Sequence, residues 1–120
     1  MRLLSALAIS FATFVAALPA SGAEMTYYLK NSQSRSVVLE LRARDRDKMW
    51  PGDGQVYQLD AGQRKSVIVS CNAGETICYG GWIEGNDQHA FGVGPDDDRA
   101  CTECCAICVD KTTTNIVLDR

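Results

Sequence analysis

SVVLELRAR, residues 36–44, sets Val37, Leu39, Leu41 and Ala43 on one side of an extended chain and Glu40, Arg42 and Arg44 on the other. Successive side chains of a strand point to opposite faces. A period of two therefore marks a strand with one face in a core and one toward water. KSVIVSC (65–71) repeats the pattern, with Val67, Val69 and Cys71 against Ser66 and Ser70; Ile68 is the exception. TYYLK (26–30), QVYQL (55–59), TICYGGWI (76–83) and TNIVL (114–118) are similarly short and rich in β-branched or aromatic residues.

Turn formers separate these segments: Asn31-Ser32, Pro51-Gly52-Asp53-Gly54, Asp60-Ala61-Gly62, Asn72-Ala73-Gly74, Gly85-Asn86-Asp87 and Gly94-Pro95. Short strands at close spacing with frequent turns predict an all-β domain, a small antiparallel sandwich or barrel. The alternating charges of RARDRDK (42–48) are expected to form a solvated strand edge laced with weak ion pairs, which also discourages edge-to-edge aggregation.

The chain opens MRLLSALAISFATFVAALPASGAE. One arginine, an apolar run from Leu3 to Leu18, a helix-breaking Pro19 and the small residues Ser21-Gly22-Ala23 form the three-part layout of a secretory signal peptide. The run is too short for a membrane span and lacks a cationic stop-transfer flank. The expectation is cleavage after Ala23. That would leave residues 24–120 as a single exported domain, periplasmic or secreted, with no transmembrane segment. The net charge of −3 argues against nucleic-acid or anionic-membrane partners, which need a positive field. A domain this small buries a thin core and commonly adds covalent cross-links after export.

All six cysteines lie in that domain: Cys71, Cys78, Cys101, Cys104, Cys105 and Cys108. Cys71 and Cys78 can pair with at most two members of CTECCAIC (101–108), so full oxidation puts at least one bridge inside that cluster. Fifteen connectivities exist in principle. Adjacent cysteines bond only in a strained ring, so Cys104 and Cys105 are expected to take different partners. If Asn72 to Glu75 formed a four-residue hairpin loop, Cys71 and Cys78 would be diagonal neighbours, too far apart for a bridge. The preferred arrangement has each of them clamp the 101–108 segment, whose remaining two cysteines close a small loop.

Two other uses of these sulfurs are weaker. On a helix, Cys101, Cys104, Cys105 and Cys108 would share one face and could hold zinc or Cu(I). Structural zinc sites, however, separate their CxxC knuckles by a dozen or more residues, and His89, the only histidine, has no ligand partner at standard spacing. A thioredoxin-like CxxC needs a strand–helix context that is missing here. No serine-triad or zincin motif is present. Asp96, Asp97 and Asp98 lack the spacing of a calcium loop, and Glu75, Glu84 and Asp87 have no acid–base partner.

Tyr79, Trp82, His89 and Phe91 lie among glycines at 74, 80, 81, 85, 92 and 94. Glycine beside an aromatic ring allows close approach of another backbone or a ligand, so these four form a candidate binding surface; the competing reading makes the rings core. The succession GETICYGGW (74–82), FGVG (91–94) and CTECCAIC resembles small exported cysteine-rich bacterial proteins of uncharacterised function, over roughly residues 70–110. The resemblance implies export and no activity. The sequence thus leads to a non-catalytic binding or structural domain without cofactor, its partner a protein or cell-envelope component. A soft-metal binder using the 101–108 thiolates and a thiol-disulfide oxidoreductase are the alternatives.

Overall fold

The computed structural model describes residues 9, 10 and 22–119; most of the expected signal peptide lies outside the described residues. Nine strands follow in order: β1 (Gly22–Asn31), β2 (Val37–Ala43), β3 (Met49–Trp50), β4 (Tyr57–Leu59), β5 (Arg64–Asn72), β6 (Thr76–Ile83), β7 (Asn86–Gly92), β8 (Cys105–Ile107) and β9 (Thr113–Leu118). They form a three-stranded sheet, β5-β1-β9, and a six-stranded sheet, β3-β2-β6-β7, in which β4 also pairs with β2 and β8 with β6. Gly22 and Ala23, expected to end the signal peptide, begin β1, where Ala23 is buried opposite Cys71.

The inner faces follow the period of two. Met25, Tyr27 and Leu29 of β1, Val69 and Cys71 of β5, and Ile116 and Leu118 of β9 meet Val37, Leu39, Leu41 and Ala43 of β2 and Ile77 and Ile83 of β6 in one core. Each fully buried aliphatic side chain contributes about 1.5–3 kcal/mol of burial. Asn31 is buried at the end of β1, and its amide group donates to the carbonyls of Arg35, Leu59 and Asp60 while its oxygen accepts from the Gln33 N–H. Those partners tie β1 to the end of β4 without leaving a buried polar group unpaired.

The structure departs from the sequence reading in two pairings. β9 runs parallel to β1, unlike the other pairs. Asn72 to Glu75 do not make a hairpin: β5 belongs to one sheet and β6 to the other, so the chain steps between layers there. Cys71 and Cys78 are therefore not diagonal neighbours. The clamping arrangement holds for a different reason, namely that the two cysteines sit on separate sheets.

Candidate functional site

The three bridges determine which faces of the sandwich are available. Cys71 is joined to Cys108, Cys78 to Cys105, and Cys101 to Cys104. The first ties β5 of the three-stranded sheet to the chain beyond β8. The second joins residues opposite each other in the β6–β8 ladder. The third closes a small loop just before β8. The last two strap residues 93–104 against the outer face of the six-stranded sheet, whereas Cys71–Cys108 lies in the main core.

Polar contacts finish that strap. The Arg42 guanidinium donates to the Pro95 carbonyl and to Glu40 at 2.6 Å, and Arg44 pairs with Asp97 at 3.0 Å. Glu40 is buried although it points away from the core, because the strap covers it. The Tyr79 N–H donates to the Cys104 carbonyl, and Cys78, Val93 and Cys104 make a second, smaller buried cluster. At Gly80 any Cβ would overlap the Gly94 carbonyl. Arg44 to Lys48 of RARDRDK are exposed and form ion pairs, as expected, but β2 is paired on both sides and is not an edge. Arg42 and Arg44 hold the strap, while Arg46 forms a two-pronged pair with Glu75 at 2.7 and 2.8 Å. That hydrogen bond holds the Glu75 carboxyl below its ordinary value.

The predicted binding surface is not assembled. Phe91 lies opposite Gly81, which lies opposite Leu39, so its ring is buried in the core. Tyr79, opposite Leu41, is half-buried against both clusters, and burial raises the pKa of its hydroxyl. Trp82 pairs with Val38 and Ala90 on the opposite face, half-buried. His89 alone is exposed, its ring 5.4 Å from that of Phe91. The four side chains divide between two faces because their neighbouring strands alternate. The close approach that the glycines permit is made by the protein's own backbone.

A bare face lies elsewhere. The outer side of the three-stranded sheet carries no strap, and its residues fall in cross-strand rows. Thr26 stands between Ile68 and Thr113, Tyr28 between Ser66 and Asn115, and Lys30 between Arg64 and Val117. Ile68, Tyr28 and Val117 are 68%, 49% and 47% exposed, which is far from the core side of the same strands. A shallow depression of about 510 Å³ runs over Tyr28, Lys30, Arg64, Ser66, Asn115 and Val117. Lys30 and Arg64 make no ion pair among the described residues. Sequence reading missed this face, although one signal was present. Ile68 breaks the alternation of KSVIVSC by placing a large aliphatic group on the water side.

Between the sheets, the Tyr27 hydroxyl is buried with no hydrogen-bond partner among the described residues, and burial pushes its pKa up to about 12. Beside it runs a narrow crevice of about 40 Å³, lined by Tyr79, Thr114 and Ile116 among others. All six sulfurs are bridged, so Cys101, Cys104, Cys105 and Cys108 offer a metal no thiolates unless the bridges are first reduced. Among the described residues, no helix is long and apolar enough to cross a membrane. Set against known proteins, the chain matches no family model, and no curated protein or solved structure is similar to it.

Proposed function

We propose that this is an exported, non-catalytic recognition domain, periplasmic or secreted, which binds a protein partner through the outer face of its three-stranded sheet. One observation carries the reading. The chain covers one side of its sandwich with a segment held by two bridges and two arginines, yet leaves Tyr28, Ile68 and Val117 uncovered on the other. Grouped exposed apolar residues on a small domain mark an interaction site. Tyrosine and arginine are the side chains that most often anchor such interfaces. Lys30 and Arg64 at one end of the face select a partner that brings carboxylates to that end, which steers association in a chain otherwise net acidic.

The test is site-specific photo-crosslinking in the producing cell, with the photoreactive residue placed at Ile68 or, for comparison, at Trp82. The expected result is a discrete protein adduct from position 68 that weakens as salt rises, and none from position 82. Adducts from position 82 alone, or from neither position, would overturn the reading.

A further inference from the structure

The edges of the two sheets are not equally protected. β3, β4 and β8 are two or three residues long. The edge of β5 carries the charged Arg64 and Lys65, and the Trp50 indole N–H donates to its Ser70 carbonyl at 2.9 Å. The β7 edge carries Asp87 and His89, a register shift at Trp82/Ile83, and the Arg99 guanidinium on the Ala90 carbonyl. These are the usual devices that stop a strand edge from pairing with another chain. β9 has none of them. Its six residues, TTNIVL, contain no charge, no proline and no bulge.

The parallel register fixes which backbone groups of β9 are free. Thr26 donates to the Thr112 carbonyl and Ser32 to the Leu118 carbonyl, so the even-numbered residues of β9 face β1. The N–H and C=O groups of Thr113, Asn115 and Val117 point the other way. All three residues are exposed, and their backbone groups have no partner among the described residues.

The geometry points to a second copy of this chain as the occupant of that edge, joined by antiparallel pairing of β9 with β9 about a two-fold axis at Asn115. Two-fold pairing must bring the same patch onto itself, and this strand satisfies that condition. Centred on Asn115, the ladder sets each free residue opposite a free residue: Asn115 opposite the second copy's Asn115, and Thr113 opposite the second copy's Val117. Each pair then exchanges both backbone hydrogen bonds. No like charges meet in the ladder. At its two ends the same register brings the turn that carries Lys111, two residues before β9, toward Asp119 of the second copy, twice over by symmetry. Other registers that keep free groups opposite free groups lose this charge match or leave Asn115 without its counterpart. The dimer makes one continuous sheet of six strands and sets the two outer faces that carry Tyr28, Ile68 and Val117 side by side, doubling the surface assigned above.

Sedimentation equilibrium of the purified protein, bridges intact, tests this with Asn115→Pro. The Asn115 N–H makes no bond to β1, and proline is tolerated on an edge strand whose N–H faces outward, so the monomer fold is kept. Each copy loses one intermolecular bond, and the dimer dissociation constant is expected to rise about thirtyfold. Lys111→Glu is expected to weaken the dimer as well, and adding Asp119→Lys to restore it. If Asn115→Pro fails to fold, that charge exchange decides the matter. A wild-type protein that stays monomeric at its highest soluble concentration would overturn the inference. So would a dimer that tolerates Asn115→Pro and ignores the charge exchange, since it uses another surface. Ile68→Asp separates this inference from the recognition reading: it is expected to leave the dimer intact while abolishing capture of the partner.

Discussion

Removal of the bridges one pair at a time has a graded outcome that follows from how they are nested. A bridge stabilises chiefly by shortening the loop that the unfolded chain can sample, and the effect grows with loop length. The Cys71–Cys108 bridge spans 37 residues, Cys78–Cys105 spans 27, and Cys101–Cys104 spans 3. The two long bridges are not independent. While either remains, the other closes only a ring of about ten residues, made of the segments 71–78 and 105–108, which corresponds to about 2.7 kcal/mol. Once one is gone, the survivor closes its full loop, about 3.5 kcal/mol or slightly more. Cys71→Ala with Cys108→Ala should therefore cost about 3 kcal/mol, the excess reflecting the buried sulfur volume lost from the main core. Removing both long bridges should cost about 6 kcal/mol, a large part of a typical 5–15 kcal/mol. Cys101→Ala with Cys104→Ala should cost about 1.6 kcal/mol and add to either. Urea unfolding monitored by tryptophan fluorescence measures all of these. A short-loop variant as destabilised as either long-loop variant, or a double removal no worse than a single one, would refute the reasoning.

Other perturbations test the strap, the crevice and the ion pairs. Gly80→Ala should cost about 1–3 kcal/mol in urea unfolding, because its Cβ meets the Gly94 carbonyl, a backbone atom that cannot swing aside. Tyr27→Phe should leave stability at pH 7 unchanged or raise it by about 1 kcal/mol, since the hydroxyl it removes is buried and unpartnered. The same variant should resist alkali better than wild type. The Tyr27 pKa rises from 10.0 to about 12 on folding, so the unfolded chain ionises first and stability falls as pH climbs through that window; melting curves between pH 9 and 12 read it. Glu75 behaves in the opposite sense. Its pKa is lowered from 4.5 by the Arg46 hydrogen bond, so its contribution is present above that value and fades as pH falls through the depressed one. Glu75→Gln should flatten the acid side of the stability curve.

Much of the fold was legible because burial on one face leaves a direct mark in the sequence. Val37, Leu39, Leu41 and Ala43 were assigned to the core from alternation alone, and all four are there. That at least one bridge lies inside 101–108 and that Cys104 and Cys105 take different partners was legible from counting and from the strain of adjacent cysteines; which cysteine of the segment each of Cys71 and Cys78 takes was not. Other features were not, because they depend on contacts distant in sequence. Nothing in TNIVL announces that it pairs parallel to β1, since the direction of pairing is set by where the chain re-enters the sheet. Glu40 obeys the outward pattern and is buried all the same, by a loop more than fifty residues further along the sequence. The aromatic residues near the glycines suggested a surface, but β6 and β7 alternate them between two faces and Phe91 falls inside. The bare face was visible only as a flaw in a pattern, Ile68.

The uncovered sheet face as the place of recognition is tested most directly by hydroxyl-radical footprinting of the protein, purified and in the producing cell. In the purified protein Tyr28, Ile68 and Val117 should oxidise readily. In the cell Tyr28 and Ile68 should be protected while Trp82 and His89 react as before. Protection confined to Trp82 and His89, or unchanged oxidation of Tyr28 and Ile68, would contradict the account.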